Sequence, residues 1–172
     1  MKKSALNILL VILLMIPSAA QAYSTDQLYS LAKTAARAGR IDTAFMYDRI
    51  ILTEHPQLYY RPEAVFANAE YLFWNNDYKD GSTLFKEYVS QNKNSKESLL
   101  ALAYLLKIAQ IKKDTKLALE LEKQIKDFRS QLFIFKKVKE YKFKSPLLYQ
   151  CKIVYSLNRI EFYVQEKLLV KI

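Results

Sequence analysis

The sequence predicts a mainly α-helical protein, an α-solenoid of about three helical hairpins followed by a small C-terminal antiparallel β-hairpin or meander. Apolar stripes with helical spacing recur every 37 residues, and the 172-residue chain contains only two glycines and four prolines. After residue 148 the apolar period changes from helical spacing to two. We therefore divide the chain into a signal peptide (1–22), helical repeats (23–128) and a basic C-terminal part (129–172).

The first 22 residues have the order of a secretory signal. Lys2 and Lys3 precede an apolar run over 6–16, and small residues end at Ala22. The run is shorter than the roughly 20 residues that span a bilayer. We expect cleavage after Ala22, with an uncleaved anchor as the alternative. Because a lipoprotein needs a cysteine where Tyr23 stands, we expect an exported, periplasmic chain without a lipid anchor.

The helical repeats are marked by small residues at Ala44, Gly81 and Ala118, each 37 residues from the next. Apolar residues keep the same spacing in three further sets: Leu28, Val65 and Leu102; Ala35, Leu72 and Ala109; Ile51, Tyr88 and Ile125. Gly39 and Asn76 suit the turn inside a hairpin because both tolerate positive φ. Each unit therefore predicts two amphipathic helices, which cross closely at the small residues.

This pattern resembles the tetratricopeptide repeat family over about residues 25–128. In the first unit, residues match the family pattern at Leu31, Ala32, Gly39, Ile41, Ala44 and Pro56. The stretch from His55 to Tyr78 is similar to the cell-envelope branch, which includes outer-membrane-assembly lipoproteins and the periplasmic coordinator of the Tol–Pal system. An unrelated helical bundle is the alternative.

The resemblance implies a concave groove that is lined by the first helix of each unit and holds a peptide. The implied groove residues are Tyr29, Lys33, Arg37, Phe66, Glu70, Phe73, Trp74 and Lys107. Phe66, Phe73 and Trp74 form an aromatic cluster among them, and aromatics dominate binding hot spots. The alternative is that Phe73 and Trp74 pack against a neighbouring helix.

The C-terminal part begins with residues 129–140, which we expect to extend the last helix. Beyond a break at Ser145-Pro146, apolar residues alternate over 149–157 and 160–164, with a turn at Asn158-Arg159 and a third strand suggested over 168–172. The only cysteine, Cys151, lies on the apolar face. We expect a buried thiol, with an intermolecular disulfide or a metal contact as the alternative.

Charge is uneven along the chain. Residues 23–128 carry 15 basic and 14 acidic side chains, whereas residues 129–172 carry 10 and 3. Five lysines fall within nine residues: Lys136, Lys137, Lys139, Lys142 and Lys144. They indicate either an anionic envelope polymer or membrane surface as partner, or a role in keeping exposed strands soluble.

No catalytic pattern is present in the sequence. A single histidine, His55, excludes a two-histidine metal site, and two glycines are too few for a glycine-rich phosphate loop. We expect no enzyme activity, no metal and no cofactor. The sequence favours a non-enzymatic periplasmic adaptor that binds an envelope protein or peptide in its groove. The alternative is a binder of an anionic envelope surface, and export argues against nucleic acid.

Overall fold

A computed structural model describes residues 23–55, 59–93, 95–131, 140–156 and 159–172. Within these ranges six helices form three consecutive hairpins. Their bounds are α1 Thr25–Arg37, α2 Ile41–Glu54, α3 Arg61–Trp74, α4 Tyr78–Gln91, α5 Lys96–Ile111 and α6 Thr115–Gln131. The signal sequence lies outside the described residues. The prediction of three helical hairpins with a C-terminal meander is confirmed.

The three hairpin turns share one capping geometry. Each contains a residue with positive φ: Gly39 (71°), Asn76 (64°) and Lys113 (57°). In each turn, the backbone N–H of the following residue donates to the carbonyl oxygen of the residue five positions earlier. The N···O distance is 2.9 Å in every case. This bond pattern is the Schellman motif, which satisfies carbonyls left free at a helix end. Because the three residues lie 37 apart, the repeat spacing inferred from the sequence is confirmed.

Small residues lie where helices approach closely. A Cβ atom on Gly81 would lie 3.3 Å from the Ala69 carbonyl oxygen and 3.4 Å from the Phe73 nitrogen, so α4 approaches the backbone of α3 at this point. Ala44 is fully buried. Ala118 is half-buried and packs against the main core. Close helix crossings at Ala44 and Gly81 are therefore confirmed.

A four-stranded antiparallel sheet comes after the helices, in the order β1–β2–β3–β4. The strands are β1 Glu140–Lys144, β2 Gln150–Ser156, β3 Arg159–Val164 and β4 Lys167–Lys171. The third strand suggested over 168–172 corresponds to β4.

Two details of the C-terminal prediction are wrong. Residue 140 belongs to a strand rather than to an extended helix. Residues 129–131 do end α6, and residues 132–139 lie outside the described ranges. Arg159 begins β3, where it pairs with Ser156 rather than forming the turn.

The sheet packs its apolar face on the helices. Phe143, Ile153 and Phe162 join one hydrophobic core with residues of α3 and α5. Helix α5 is buried on all sides along its centre, since every residue from Leu99 to Leu106 is buried. The first helix of each hairpin therefore contacts the sheet or its β1–β2 turn on one side and the second helices on the other. No described helix is both long and apolar enough to cross a membrane.

Candidate functional site

The concave face that the repeat resemblance implied as a groove is covered by the chain itself. The β1–β2 turn, residues 145–149, is seated on α1 and α3. Ser145, Pro146 and Leu147 are all buried. Leu147 is only 1 % exposed and lies in a pocket of small residues formed by Ala35, Ala36, Ala44 and Ala67. This turn therefore covers the face of α1 and α3 to which the resemblance assigned a bound peptide.

Polar contacts fix the same turn to the helices. The Ser145 hydroxyl donates to Glu70 Oε2 at 2.6 Å. Lys33 Nζ donates to the Pro146 carbonyl oxygen at 3.0 Å and pairs with Glu63 at 2.8 Å. Tyr29 donates its hydroxyl to the same Glu63 oxygen at 2.8 Å. Three of the implied groove residues thus hold or support the protein's own β1–β2 turn.

Two of the three implied aromatic anchors are core residues, so that part of the groove assignment is wrong. Phe66 is 0 % exposed and packs edge-on against Phe85 and Tyr88. Phe73 is 6 % exposed, and its ring centroid lies 4.8 Å from that of Tyr104. Both side chains bury apolar surface in the helix–sheet core and are unreachable by a partner.

Trp74 differs from the other two aromatics because it is 39 % exposed. Its ring packs edge-on against Phe73 and against Tyr149 of the β1–β2 turn, with the centroid of the Tyr149 ring at 6.3 Å. Of the remaining implied groove residues, Arg37 is exposed and Lys107 is half-buried. Trp74 therefore lies at the rim where the helices meet the sheet, partly open to solvent.

Glu70 is fully enclosed between α3, α5 and the sheet. It accepts hydrogen bonds from the Tyr104 hydroxyl and the Ser145 hydroxyl, both at 2.6 Å. Burial raises the pKa of Glu70 to about 7, although these hydrogen bonds and the Lys33 charge oppose the shift. A raised carboxyl pKa is common in active sites. Here the carboxyl has no exposed surface, and we assign it a structural role in joining helices and sheet.

A second buried acid, Asp48, lies within reach of the Lys33 charge. Asp48 is 7 % exposed, and burial raises its pKa to about 7, while the positive charge of Lys33 acts in the opposite direction. Beside this region a hollow of about 390 Å³ remains between helices and sheet. Its lining carries charges of both signs from Lys33, Glu63, Glu97 and Lys144.

Cys151 is buried at 2 % exposure, as the alternating pattern predicted. Burial raises the pKa of its thiol to about 12. The thiolate is the reactive form of cysteine. At neutral pH this thiol is therefore a core group rather than a nucleophile. Within the described ranges, no three His, Cys, Asp or Glu side chains are placed to hold a metal ion.

The outward face of the sheet carries a group of basic side chains. Strand alternation and register place five of them there: Lys142, Lys144, Lys152, Arg159 and Lys171. Lys144, at the end of β1, also borders the helix–sheet hollow. Three acidic residues, Glu140, Glu161 and Glu166, share this face, and Arg159 pairs with Glu161 at 3.3 Å. The Lys142 side chain is 74 % exposed and pairs with Glu140 at 3.0 Å. Lys136, Lys137 and Lys139 of the predicted lysine cluster lie outside the described residues.

A hollow of about 540 Å³ opens on this outer face. The residues that line it are Lys142, Gln150, Cys151, Lys152, Tyr163 and Glu166. Lys142, Lys152 and Tyr163 stand opposite one another on three neighbouring strands. Lys142 was a candidate from the sequence, whereas Lys152 and Tyr163 were not. Their positions alternate with those of Cys151 and Phe162, and this period of two was the signal that could have placed them outward.

No protein-family model matches the chain, and a search of curated proteins finds no similar sequence. The tetratricopeptide resemblance therefore remains a prediction.

Proposed function

We propose that this chain is an exported, non-catalytic binding protein that attaches to an anionic component of the cell envelope through the outer face of its sheet. The proposal rests on which face the chain itself covers and which face presents charged side chains to solvent. The face of α1 and α3 that the resemblance implied as a groove is covered by residues 145–149, whereas the opposite side of the sheet presents five basic side chains against three acidic ones. Export rests on the sequence of residues 1–22.

The electrostatics favour an anionic partner. Lysines beside an anionic surface contribute about 1 kcal/mol each, and salt screens this attraction. The strand register fixes Lys142, Lys144 and Lys152 on one side of a rigid sheet, so their charges add in one direction. A solvated helix face, in contrast, usually mixes both signs, as the sequence of α6 does with its interspersed basic and acidic residues.

The test uses the chain from Tyr23 onward with vesicles containing phosphatidylglycerol, neutral phosphatidylcholine vesicles, and a soluble acidic polysaccharide. We expect binding to at least one anionic probe that weakens at high salt, and none to neutral vesicles. Replacing Lys142, Lys144 and Lys152 together by Gln should weaken binding by about tenfold or more.

The matched control replaces Lys79, Lys86 and Lys116 by Gln. These three lysines are exposed on α4 and α6, away from the sheet, so this variant loses the same net charge. It should bind as the unaltered protein does. If both triple variants weaken binding equally, the attraction comes from overall charge and the outer face has no special role.

A second candidate function is protein binding at the helix–sheet rim, because Trp74 is 39 % exposed there beside Tyr149. This retains the adaptor expectation at a different surface from the filled groove. Its test is capture of a partner from envelope extract by the protein and by its Trp74→Ala variant, with folding checked by circular dichroism. Loss of capture in Trp74→Ala, with capture preserved in the sheet lysine variant, would favour the adaptor.

A further inference from the structure

We propose that the 540 Å³ hollow on the outer face of the sheet binds a stretch of an acidic polysaccharide chain, with Lys142 and Lys152 recognising its anionic groups. This assignment rests on the proposed function and specifies its ligand. It names a polymer rather than a membrane surface.

Two like charges face each other at the hollow. Lys142 and Lys152 are direct cross-strand partners on β1 and β2. Directly opposed side chains in an antiparallel pair lie within roughly 5.5 Å at Cβ, and like charges there destabilise the pair. Glu140 pairs with Lys142, and its charge also acts on Lys152, so it offsets part of this repulsion. An anionic group bound between the two ammonium groups would offset the rest, which suits a ligand-binding position.

Lys152 is held in place but not neutralised. Its Nζ lies 4.4 Å from the centroid of the Tyr163 ring. The Tyr163 hydroxyl donates to Glu161 Oε2 at 3.0 Å, which fixes the ring beneath the ammonium group. In the part of the chain that the structure describes, no carboxylate forms an ion pair with Lys152, while Lys142 has Glu140. Lys152 is therefore an oriented cation that remains available.

The rest of the lining suits a ligand rich in hydroxyls. Gln150 supplies an amide and Glu166 a carboxylate, groups that exchange hydrogen bonds with hydroxyls. The turn that carries Glu166 is fixed because Gln165 N–H donates to the Gln150 carbonyl at 2.8 Å. A mixture of two cations, an amide and an acceptor fits a ligand with acidic groups and many hydroxyls, which describes an acidic polysaccharide.

Shape separates this ligand from a membrane. The row Lys142, Lys152, Tyr163 and Leu168 crosses four strands and is about 14 Å long at the usual strand spacing. A narrow polysaccharide chain can lie along that row, whereas a flat bilayer would extend over the whole outer face.

The experiment titrates the chain from Tyr23 onward with tetragalacturonate and with neutral maltotetraose, observed through backbone amide NMR shifts. Phosphatidylglycerol vesicles form a third arm. We expect saturable shifts around residues 142, 150–152, 163 and 166 with tetragalacturonate only. Lys152→Gln should weaken binding roughly tenfold, the loss of one charge-assisted contact. Lys86→Gln, a control that is exposed on α4 outside the sheet, should change it less than about twofold.

Tyr163 supplies a paired test of how Lys152 is oriented. Tyr163→Phe keeps the ring under the ammonium group and should retain binding, whereas Tyr163→Leu removes the ring and should weaken binding as Lys152→Gln does. Equal weakening by Lys86→Gln, or shifts away from the hollow, would overturn the site. Vesicle binding without tetragalacturonate binding would overturn the polysaccharide assignment and leave the proposed function standing. Absence of both would overturn the two together.

Discussion

Glu70 and Asp48 are the individual residues whose chemistry depends most on folding. Both acids are buried, and burial raises the pKa of each to about 7, from ordinary values of 4.5 for Glu70 and 3.8 for Asp48. Glu70 holds the β1–β2 turn through the Ser145 hydroxyl, so its environment exists only when the sheet is docked. The protonation of these two acids is therefore linked to folding.

We predict that the free energy of unfolding falls as pH rises from about 4.5 to 7. In this window the folded state binds more protons than the unfolded state, because the folded pKa of each acid is the higher one. The stabilisation is thus complete below the unfolded pKa and is lost as pH rises through the folded pKa. Each group contributes at most about 1.4 kcal/mol per pH unit. Urea unfolding at several pH values measures the slope.

Glu70→Gln should remove part of this slope, since glutamine does not ionise. Asp48→Asn is the matched variant and should remove the remainder, so the double variant should be nearly flat over the same window. Stability that rises with pH between 4.5 and 7 would show that the two carboxyls are not buried as described.

We predict that Ala44→Leu destabilises the protein by about 1–3 kcal/mol through overpacking. Ala44 is fully buried and shares a cluster with Ala67 and Leu147, which leaves no room for three further carbon atoms. Met46→Leu is the control on the same helix, because Met46 is 62 % exposed. Thermal unfolding followed by circular dichroism compares the two. An unchanged melting temperature for Ala44→Leu would contradict the helix crossing.

At the scale of helices and turns, the three Schellman caps are alike in backbone but unequal in sequence. Gly39 adopts positive φ freely, Asn76 tolerates it, and Lys113 carries a β-carbon that disfavours it. The third hairpin therefore has the least favourable turn.

We predict that Lys113→Gly stabilises the protein by about 0.5–1 kcal/mol, because glycine relieves the left-handed strain at this position. Lys112→Gly is the adjacent control. Lys112 has φ −77° and ψ −4°, so glycine there gains nothing and should be neutral or destabilising. Urea midpoints of the two variants provide the comparison. A lower midpoint for Lys113→Gly would be inconsistent with the shared cap.

The helices and turns were largely predictable, and β1 was not. Positions 39, 76 and 113 repeat with the apolar pattern, so local sequence and backbone agree. Residues 140–144 also alternate, with Tyr141 and Phe143 between charged residues, but they come after a stretch with helical spacing within a lysine-rich segment. Five residues are too few for a period of two to stand out against that background.

The whole molecule departs from an open solenoid because its sheet covers the concave side. One sequence signal for this was the unbroken apolar run from Leu99 to Leu106 in α5, and all of these residues are buried. A helix that is apolar all round must be covered on every side. A helix lining an open groove would keep a polar stripe. The repeat resemblance, however, ends before the strands and carries no information about them, so Phe66 and Phe73 were assigned to a groove and proved to be core.

Because the sheet and its β1–β2 turn cover the helices, we expect helices and sheet to unfold as one cooperative unit. Leu147 tests this directly. Leu147→Ala should destabilise the protein by about 2–5 kcal/mol, because it empties the small-residue pocket that seats the β1–β2 turn. Leu119→Ala is the same chemical change at a position 69 % exposed on α6, and it should shift stability by less than about 0.5 kcal/mol.

Urea unfolding is followed by far-ultraviolet circular dichroism for the helices and by Trp74 fluorescence for the helix–sheet rim. In both variants the two signals should change together, since a single core contains Phe66, Phe162 and Val170. If the Trp74 signal changes at lower urea than the helical signal, the sheet separates from the helices first and the concave face can open. That result would return the groove to consideration as a binding site.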